Sequence, residues 1–319
     1  MRVRPLGETS MDVSALCLGT MTFGWTADEA ASFAIMSEAI EHGVNLFDTA
    51  DIYSRWSPSS YPGKTEEIIG RWLAEDLGRR GRVYLATKVR GPMSERPEDQ
   101  GLGRRHLVSA VEGSLRRLRT DHLDLYQAHW FDEQTAQEET LRALDDLTRS
   151  GKVRAIGCSN FTAAQLGAAL AASDRDGFAR YETLQPHYNL VHREEYEREL
   201  APLCVTRGLG VLPYSPLAGG FLTGKYRPGG GAPRGSRGEH SQRIAQYVAD
   251  PRCHAAVERL GAIARERGVA VSAVALAWVI DAPAVASAIV GANSVGQLRE
   301  SLPAGDLVLS ADERRDLDA

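Results

Sequence analysis

Eight short apolar runs, each closing at polar residues and mostly followed by a stretch with helical periodicity, constrain this chain more than any other feature. The runs lie at 15–18, 44–47, 83–86, 123–127, 153–156, 183–184, 210–212 and 286–290. Short, near-continuous apolar runs are what strands buried on both faces look like, the pattern of a parallel sheet. Helical patterns fall between them at 28–42, 65–77, 104–119, 134–150, 162–172, 194–207 and 271–281. Strand–helix units in this number predict an α/β fold of the (β/α)8 TIM-barrel type. An open doubly wound sheet is disfavoured, because it gathers its polar residues at one switch point. Here they stand at nearly every strand end.

With 319 residues the chain could hold two average domains or one large barrel, and the unbroken alternation favours one domain over 1–319. The net charge of −5 argues against a nucleic-acid or anionic-membrane partner. No basic stretch followed by an apolar run opens the chain, and the apolar segment 269–280 contains Ser272 and is too short to span a bilayer. Cys17, Cys158, Cys204 and Cys253 are scattered without metal-ligand or redox spacing. They read as reduced, buried residues of a cytoplasmic protein, and no metal site is expected.

Residues 2–5 and 12–14, with a turn at 7–10, read as an opening hairpin. Asp28 and Thr162 are placed to cap helix N-termini. The Gly/Pro-rich segment 227–238 cannot form a core element and reads as a mobile loop, taken to about 242. Segment 55–63, rich in Ser and Pro, is a second loop placed to shape specificity.

The strand run 44–47 ends at Asp48, with Tyr53 five residues on; the run 83–86 leads to Lys88; a third strand closes at His129. A phenol with its ordinary pKa near ~10 is a weak acid at neutral pH. A neighbouring ammonium favours the phenolate, which predicts a lowered Tyr53 pKa and a usable general acid. Asp48 offsets the cost of burying Lys88.

The segments FDTADIY (47–53), ATK (86–88), YQAHW (126–130), GCSN (157–160) and YSPLAGGFLTGKY (214–226) come in order over nearly the whole chain. Together they resemble the aldo-keto reductases, in the branch of longer bacterial chains similar to potassium-channel β-subunits. The resemblance implies a barrel capped at its base by the N-terminal hairpin. It also implies NADPH-dependent reduction of an aldehyde or ketone, with NADH possible. Asp48, Tyr53, Lys88 and His129 would be catalytic, and His129 would orient the substrate carbonyl. Gly19, Thr20 and Met21 would floor the cofactor pocket beside Asp48. Ser159, Asn160 and Gln185 would hold the carboxamide, and Tyr214 would stack under the nicotinamide. Ser215, Pro216, Leu217 and Gly219 would wrap the pyrophosphate, with Lys225 supplying charge.

At the adenosine end, Gly291 and Ala292 precede Asn293, where relatives that prefer NADPH often carry a cation; Gln297, Glu300 and Ser301 match adenine-binding positions. Arg237, in the Gly/Pro-rich loop, is then the best cation for a 2′-phosphate. Trp25, Trp130 and Trp56 follow strand ends and could wall an apolar substrate pocket. Two other readings stand beside this one. Lys88 could form a Schiff base in an aldolase, or the chain could be a nucleotide-binding accessory subunit. Met1 is not preceded by an inactivating extension, which favours the enzyme. The partner expected is a small-molecule carbonyl; substrate, reaction direction and oligomeric state stay open.

Overall fold

The computed structural model describes residues 1–239 and 241–319. A hairpin of β1 (Val3–Pro5) and β2 (Asp12–Ser14) opens the chain. The barrel strands are β3 (Leu16–Gly19), β4 (Leu46–Asp48), β5 (Tyr84–Val89), β6 (Leu123–Ala128), β7 (Val153–Ser159), β8 (Tyr181–Gln185), β9 (Gly210–Val211) and β10 (Ala288–Gly291). All neighbours are parallel, in the order β10-β3-β4-β5-β6-β7-β8-β9. The sheet closes on itself. Val211 bridges Val285, the Val211 N–H donates to Ala284 O at 2.8 Å, and Ile289 N–H donates to Pro213 O at 2.9 Å. The fold is the expected (β/α)8 barrel, and the doubly wound alternative falls with that closure.

Two-residue periodicity explains how the barrel holds both a core and a site. The inward residues Cys17, Leu46, Ala86, Leu125, Ala155, Leu212 and Ile289 form one apolar layer with Leu6, Met11 and Val13 of the hairpin segment. The hairpin thus plugs the base of the barrel. Two residues further along the same strands come Asp48, Lys88 and Gln127, so the layer above is polar. Outward residues such as Phe47, Leu85 and Tyr126 pack against the surrounding helices.

Helices Glu29–Glu41, Lys64–Glu75, Arg104–Leu118, Gln137–Arg149, Ala163–Asp176 and Val271–Ile280 stand where periodicity places them. Asp28 caps the first, accepting from Ala31 N–H at 2.8 Å. Thr162 and Gln165 form a capping box on the helix Ala163–Asp176. The expected helix at 194–207 is instead a π-helical turn, Tyr196–Leu200, running into Ala201–Thr206. Pro202 is the reason: it has no N–H for the carbonyl four residues back, and Ala201 N–H bonds Tyr196 O across five residues.

Helix Pro251–Arg267 was not anticipated, although Asp250 as cap, Pro251 at its start and Gly268 after its end are the ordinary signals. The short helices Gln242–Ala249, Val295–Ser301 and Ala311–Asp318 were likewise missed. The loop expected over 227–242 ends at Ser241, which caps Gln242–Ala249; His240 lies outside the described residues. All four cysteines are free and buried. Among the described residues no helix is long and apolar enough to cross a membrane.

Candidate active site

The polar layer at the C-terminal ends of β4, β5, β6 and β8 is one hydrogen-bonded unit. Lys88 Nζ donates to Asp48 Oδ2 at 2.6 Å, to Thr49 O at 2.9 Å and to the Tyr53 hydroxyl at 2.9 Å. All three ammonium protons are thereby used. Asp48 Oδ1 accepts from Gln127 Nε2 at 3.1 Å and from Gln185 Nε2 at 2.9 Å. The Lys88 side chain is 0% exposed and that of Asp48 3%. A charge pair this deep persists only when both partners are fully bonded, and here both are.

Burial alone would depress the Lys88 pKa; the Asp48 carboxylate and Tyr53 more than offset it and hold the ammonium above its ordinary value. Lys88 is therefore charged and poorly nucleophilic, which weakens the Schiff-base reading. The expectation that Lys88 lowers the pKa of Tyr53 needs correction. Burial raises it and outweighs the pull of Lys88, so the net shift is upward from 10. The phenol keeps its proton at neutral pH. Because its oxygen already accepts from Lys88, the O–H is free to point into the cleft.

His129 follows β6, its backbone N–H donating to Val89 O at 2.9 Å. Its ring stands edge-on to Tyr53, centroids 6.0 Å apart, and stacks on Trp130 at 3.7 Å. Burial, then the Lys88 and Arg90 charges, push its pKa well below the ordinary value, so the imidazole is neutral; its Nδ1 is buried without a partner. Trp56 packs edge-on against Tyr53 and against Trp25, both at 5.8 Å. Trp25, Trp56 and Trp130 are about two-fifths exposed.

Around this core the strand ends knit together. Ser159 Oγ donates to Gln185 O at 2.8 Å, Asn160 Nδ2 donates to His129 O at 3.0 Å, and Tyr214 OH donates to Asn160 Oδ1 at 2.8 Å. Asn160 adopts a φ of 57°, a conformation asparagine tolerates. Gly19 pairs with Asp48 across β3 and β4 and with Gly291 across β3 and β10, Thr20 Oγ1 donates to Asp48 O at 2.9 Å, and Met21 packs on the Ala50–Tyr53 cluster.

After β9, Ser215, Ala218, Gly219 and Gly220 all have positive φ, between 51° and 95°. Within this turn Ala218 N–H donates to Ser215 O and Gly220 N–H to Leu217 O, both at 2.9 Å. A side chain added at Gly220 would meet Lys225 Nζ at 3.1 Å, so that ammonium lies against the same turn. Leu217 and Pro216 complete it.

Arg237 sits with its guanidinium over the Trp25 ring, 5.8 Å from the centroid. The adjacent Thr26 donates to Asn293 Oδ1 at 2.7 Å, which links the loop side of the cleft to the adenosine side. Gln297 Oε1 accepts from Asn293 N–H at 2.9 Å, and Gln297 and Glu300 are exposed. Ser301 is buried, and its hydroxyl donates to Gln297 O at 3.3 Å.

Gln127 was missed as a site residue, although it lies inside the YQAHW segment two residues before His129. Asp51 was also passed over. Its backbone N–H donates to Lys88 O at 3.1 Å, and its carboxyl is buried with neither oxygen partnered. Burial and the Glu66 charge push its pKa well above the ordinary value.

Comparison with known proteins agrees with this geometry. A model of the "Aldo/keto reductase family" matches residues 15–319. The chain is 40% identical over 309 residues to the uncharacterized oxidoreductase YrpG of Bacillus subtilis, covering 95% of this chain and 91% of that one. A probable voltage-gated potassium channel subunit beta of Arabidopsis thaliana is 35% identical, with 97% and 92% covered. The versiconal hemiacetal acetate reductase of Aspergillus parasiticus is 31% identical, with 98% and 95% covered. Likeness of this extent, on a barrel whose strand ends carry a buried Asp–Lys–Tyr relay, means that the chain belongs to the aldo/keto reductase family and is an oxidoreductase acting on carbonyl groups.

Proposed function

We propose that the chain reduces an aldehyde or ketone to an alcohol, with NADPH as the preferred cofactor and Tyr53 as the proton donor. The observation that carries the reading is the bond from Lys88 Nζ to the Tyr53 oxygen beside a neutral His129. When bound, reduced nicotinamide supplies the hydride. Tyr53 gives its proton to the carbonyl oxygen as negative charge develops there, and Lys88, already in contact, stabilises the phenolate left behind. His129, neutral, gives a hydrogen bond to the same oxygen and fixes the carbonyl's orientation.

The residues present fit the cofactor. The Ser159, Asn160 and Tyr214 side chains bond one another beside Gln185, and an incoming carboxamide would exchange for bonds of this cluster. The positive-φ turn with Lys225 suits a pyrophosphate. Among the described residues the Asn293 side-chain N–H groups have no partner, and its oxygen is engaged by Thr26. It can bond a 2′-phosphate but not neutralise it; Arg237, joined to that side through Trp25 and Thr26, supplies the charge. We read residues 1–319 as a single barrel domain working in the cytoplasm on a small molecule.

The test is oxidation of NADPH and NADH with 4-nitrobenzaldehyde by wild type and Tyr53→Phe. We expect turnover with NADPH and a loss of roughly 10²–10⁴-fold in Tyr53→Phe with cofactor binding kept. Undiminished turnover in Tyr53→Phe refutes the proton-donor assignment. Tight NADPH binding without turnover of any carbonyl would favour the accessory-subunit reading.

A further inference from the structure

Arg90 is a charged side chain that the mechanism above does not use. It follows β5 two residues after Lys88 and has a φ of 121°, a region L side chains rarely adopt. The strained backbone is held in place, since Arg90 O accepts from Gly101 N–H at 2.9 Å. Its Nε is buried and has no hydrogen-bond partner among the described residues. Neighbouring carboxylates do not supply one. Asp132 is committed elsewhere, accepting from Leu102 N–H at 2.7 Å, Thr135 Oγ1 at 2.8 Å and Gln134 N–H at 3.1 Å. Glu133 borders the same cleft but is exposed, and among the described residues no ion pair joins it to Arg90.

The guanidinium lines a cleft of about 490 Å³, together with Trp130, Phe131, Asn160, Thr162 and Gln165. Trp130 is the residue stacked on His129, and Asn160 holds the His129 carbonyl, so the cleft opens beside the proposed reaction centre. The N-terminus of helix Ala163–Asp176 also faces it through Thr162 and Gln165, adding a partial positive charge. Arg90 thus borders the cleft with its guanidinium bonded to no other described residue, which leaves its terminal Nη groups for an anionic ligand.

We propose that Arg90 and this cleft bind a carboxylate on the carbonyl substrate, so that the chain favours carbonyl compounds bearing an anionic group over neutral ones. The two terminal Nη groups of the guanidinium, which bond no other described residue, can face the two oxygens of a carboxylate, and the Trp130 ring gives a flat wall for the group joining it to the carbonyl. The substrate preference rests on the reductase reading; the anion site itself does not.

The experiment compares 3- and 4-carboxybenzaldehyde, each against its own methyl ester, in wild type, Arg90→Met and Arg90→Lys. Binding of benzoate against benzamide is followed in parallel by tryptophan fluorescence. Wild type should prefer the acid of at least one pair by roughly tenfold or more in kcat/KM, through KM. Arg90→Met should abolish the preference and Arg90→Lys keep part of it, with unfolding midpoints showing that both variants fold. Benzoate should bind wild type more tightly than benzamide, and Arg90→Met should lose the difference. Equal treatment of acid and ester by wild type, or a preference that survives in Arg90→Met, overturns the proposal while 4-nitrobenzaldehyde turnover leaves the reductase reading standing. Selective benzoate binding without reduction of any aldehyde has the opposite meaning: the anion site stands and the reductase reading falls.

Discussion

Replacing Asp48 by asparagine keeps the shape of the buried network and removes its negative charge. Lys88 would lose the 2.6 Å bond to a carboxylate and face an amide, while Gln127 and Gln185 could still donate to the remaining oxygen. With the Lys88 side chain 0% exposed, the ammonium would be left buried and uncompensated. Breaking such a pair costs about 3–5 kcal/mol. At ~2.1 cal/mol/K per residue, the unfolding entropy of 319 residues is about 0.7 kcal/mol/K, which converts that cost to a fall of roughly 4–8 °C in Tm.

The pH dependence separates this cause from simple loss of packing. In wild type the folded Lys88 pKa is raised, so its contribution to stability is whole below the ordinary lysine value and is lost only as pH rises through the raised one. In Asp48→Asn the burial effect prevails, the pKa drops below the unfolded value, and stability recovers as pH rises through the depressed value. The deficit should therefore narrow from pH 7 towards about pH 10. Thermal unfolding of both proteins across that range is the assay. A deficit below ~1 kcal/mol, or one that stays constant with pH, would refute the argument that an uncompensated charge is what destabilises.

Other expectations rest on separate contacts. The rate of carbonyl reduction should show no inflection between about pH 6.5 and 9, because His129 titrates well below 6.5 and Tyr53 releases its proton above 10; a pH–rate profile with an inflection there would contradict both shifts. Gly157→Ala places a Cβ 2.0 Å from Thr183 Oγ1, and should destabilise by about 1–3 kcal/mol in denaturant unfolding. Thr183→Ala should relieve it, since that hydroxyl is buried without a partner. Arg237→Ala should cut the preference for NADPH over NADH by roughly tenfold, read as the ratio of kcat/KM values; no change in the ratio would remove Arg237 from the 2′-phosphate.

Much of the fold is legible in the chain because its signals are local. A buried strand declares itself by a short apolar run, and the polar residue that ends it marks the C-terminal rim of a barrel, as at Asp48, Lys88 and His129. Helix caps such as Asp28 and Thr162 need only their own first turn. Helix Pro251–Arg267 carried equally plain signals at both ends and was passed over. The site is different. Gln185 meets Asp48 across a separation of 137 residues, and Gln127 meets it across 79. No local pattern states those bonds.

What the sequence by itself determined is the order of strand ends and the kinds of side chain delivered there, since alternation and capping are short-range. The tertiary structure alone decided how deeply each group is buried and what it faces. Depth of burial turned the expected downward shift of Tyr53 into an upward one, enclosed Ser301 against Gln297 of its own helix, and left Arg90 Nε without an acceptor among the described residues. Solvation and Coulomb energies depend on everything within a few ångströms, and in a closed barrel those neighbours come from distant parts of the chain.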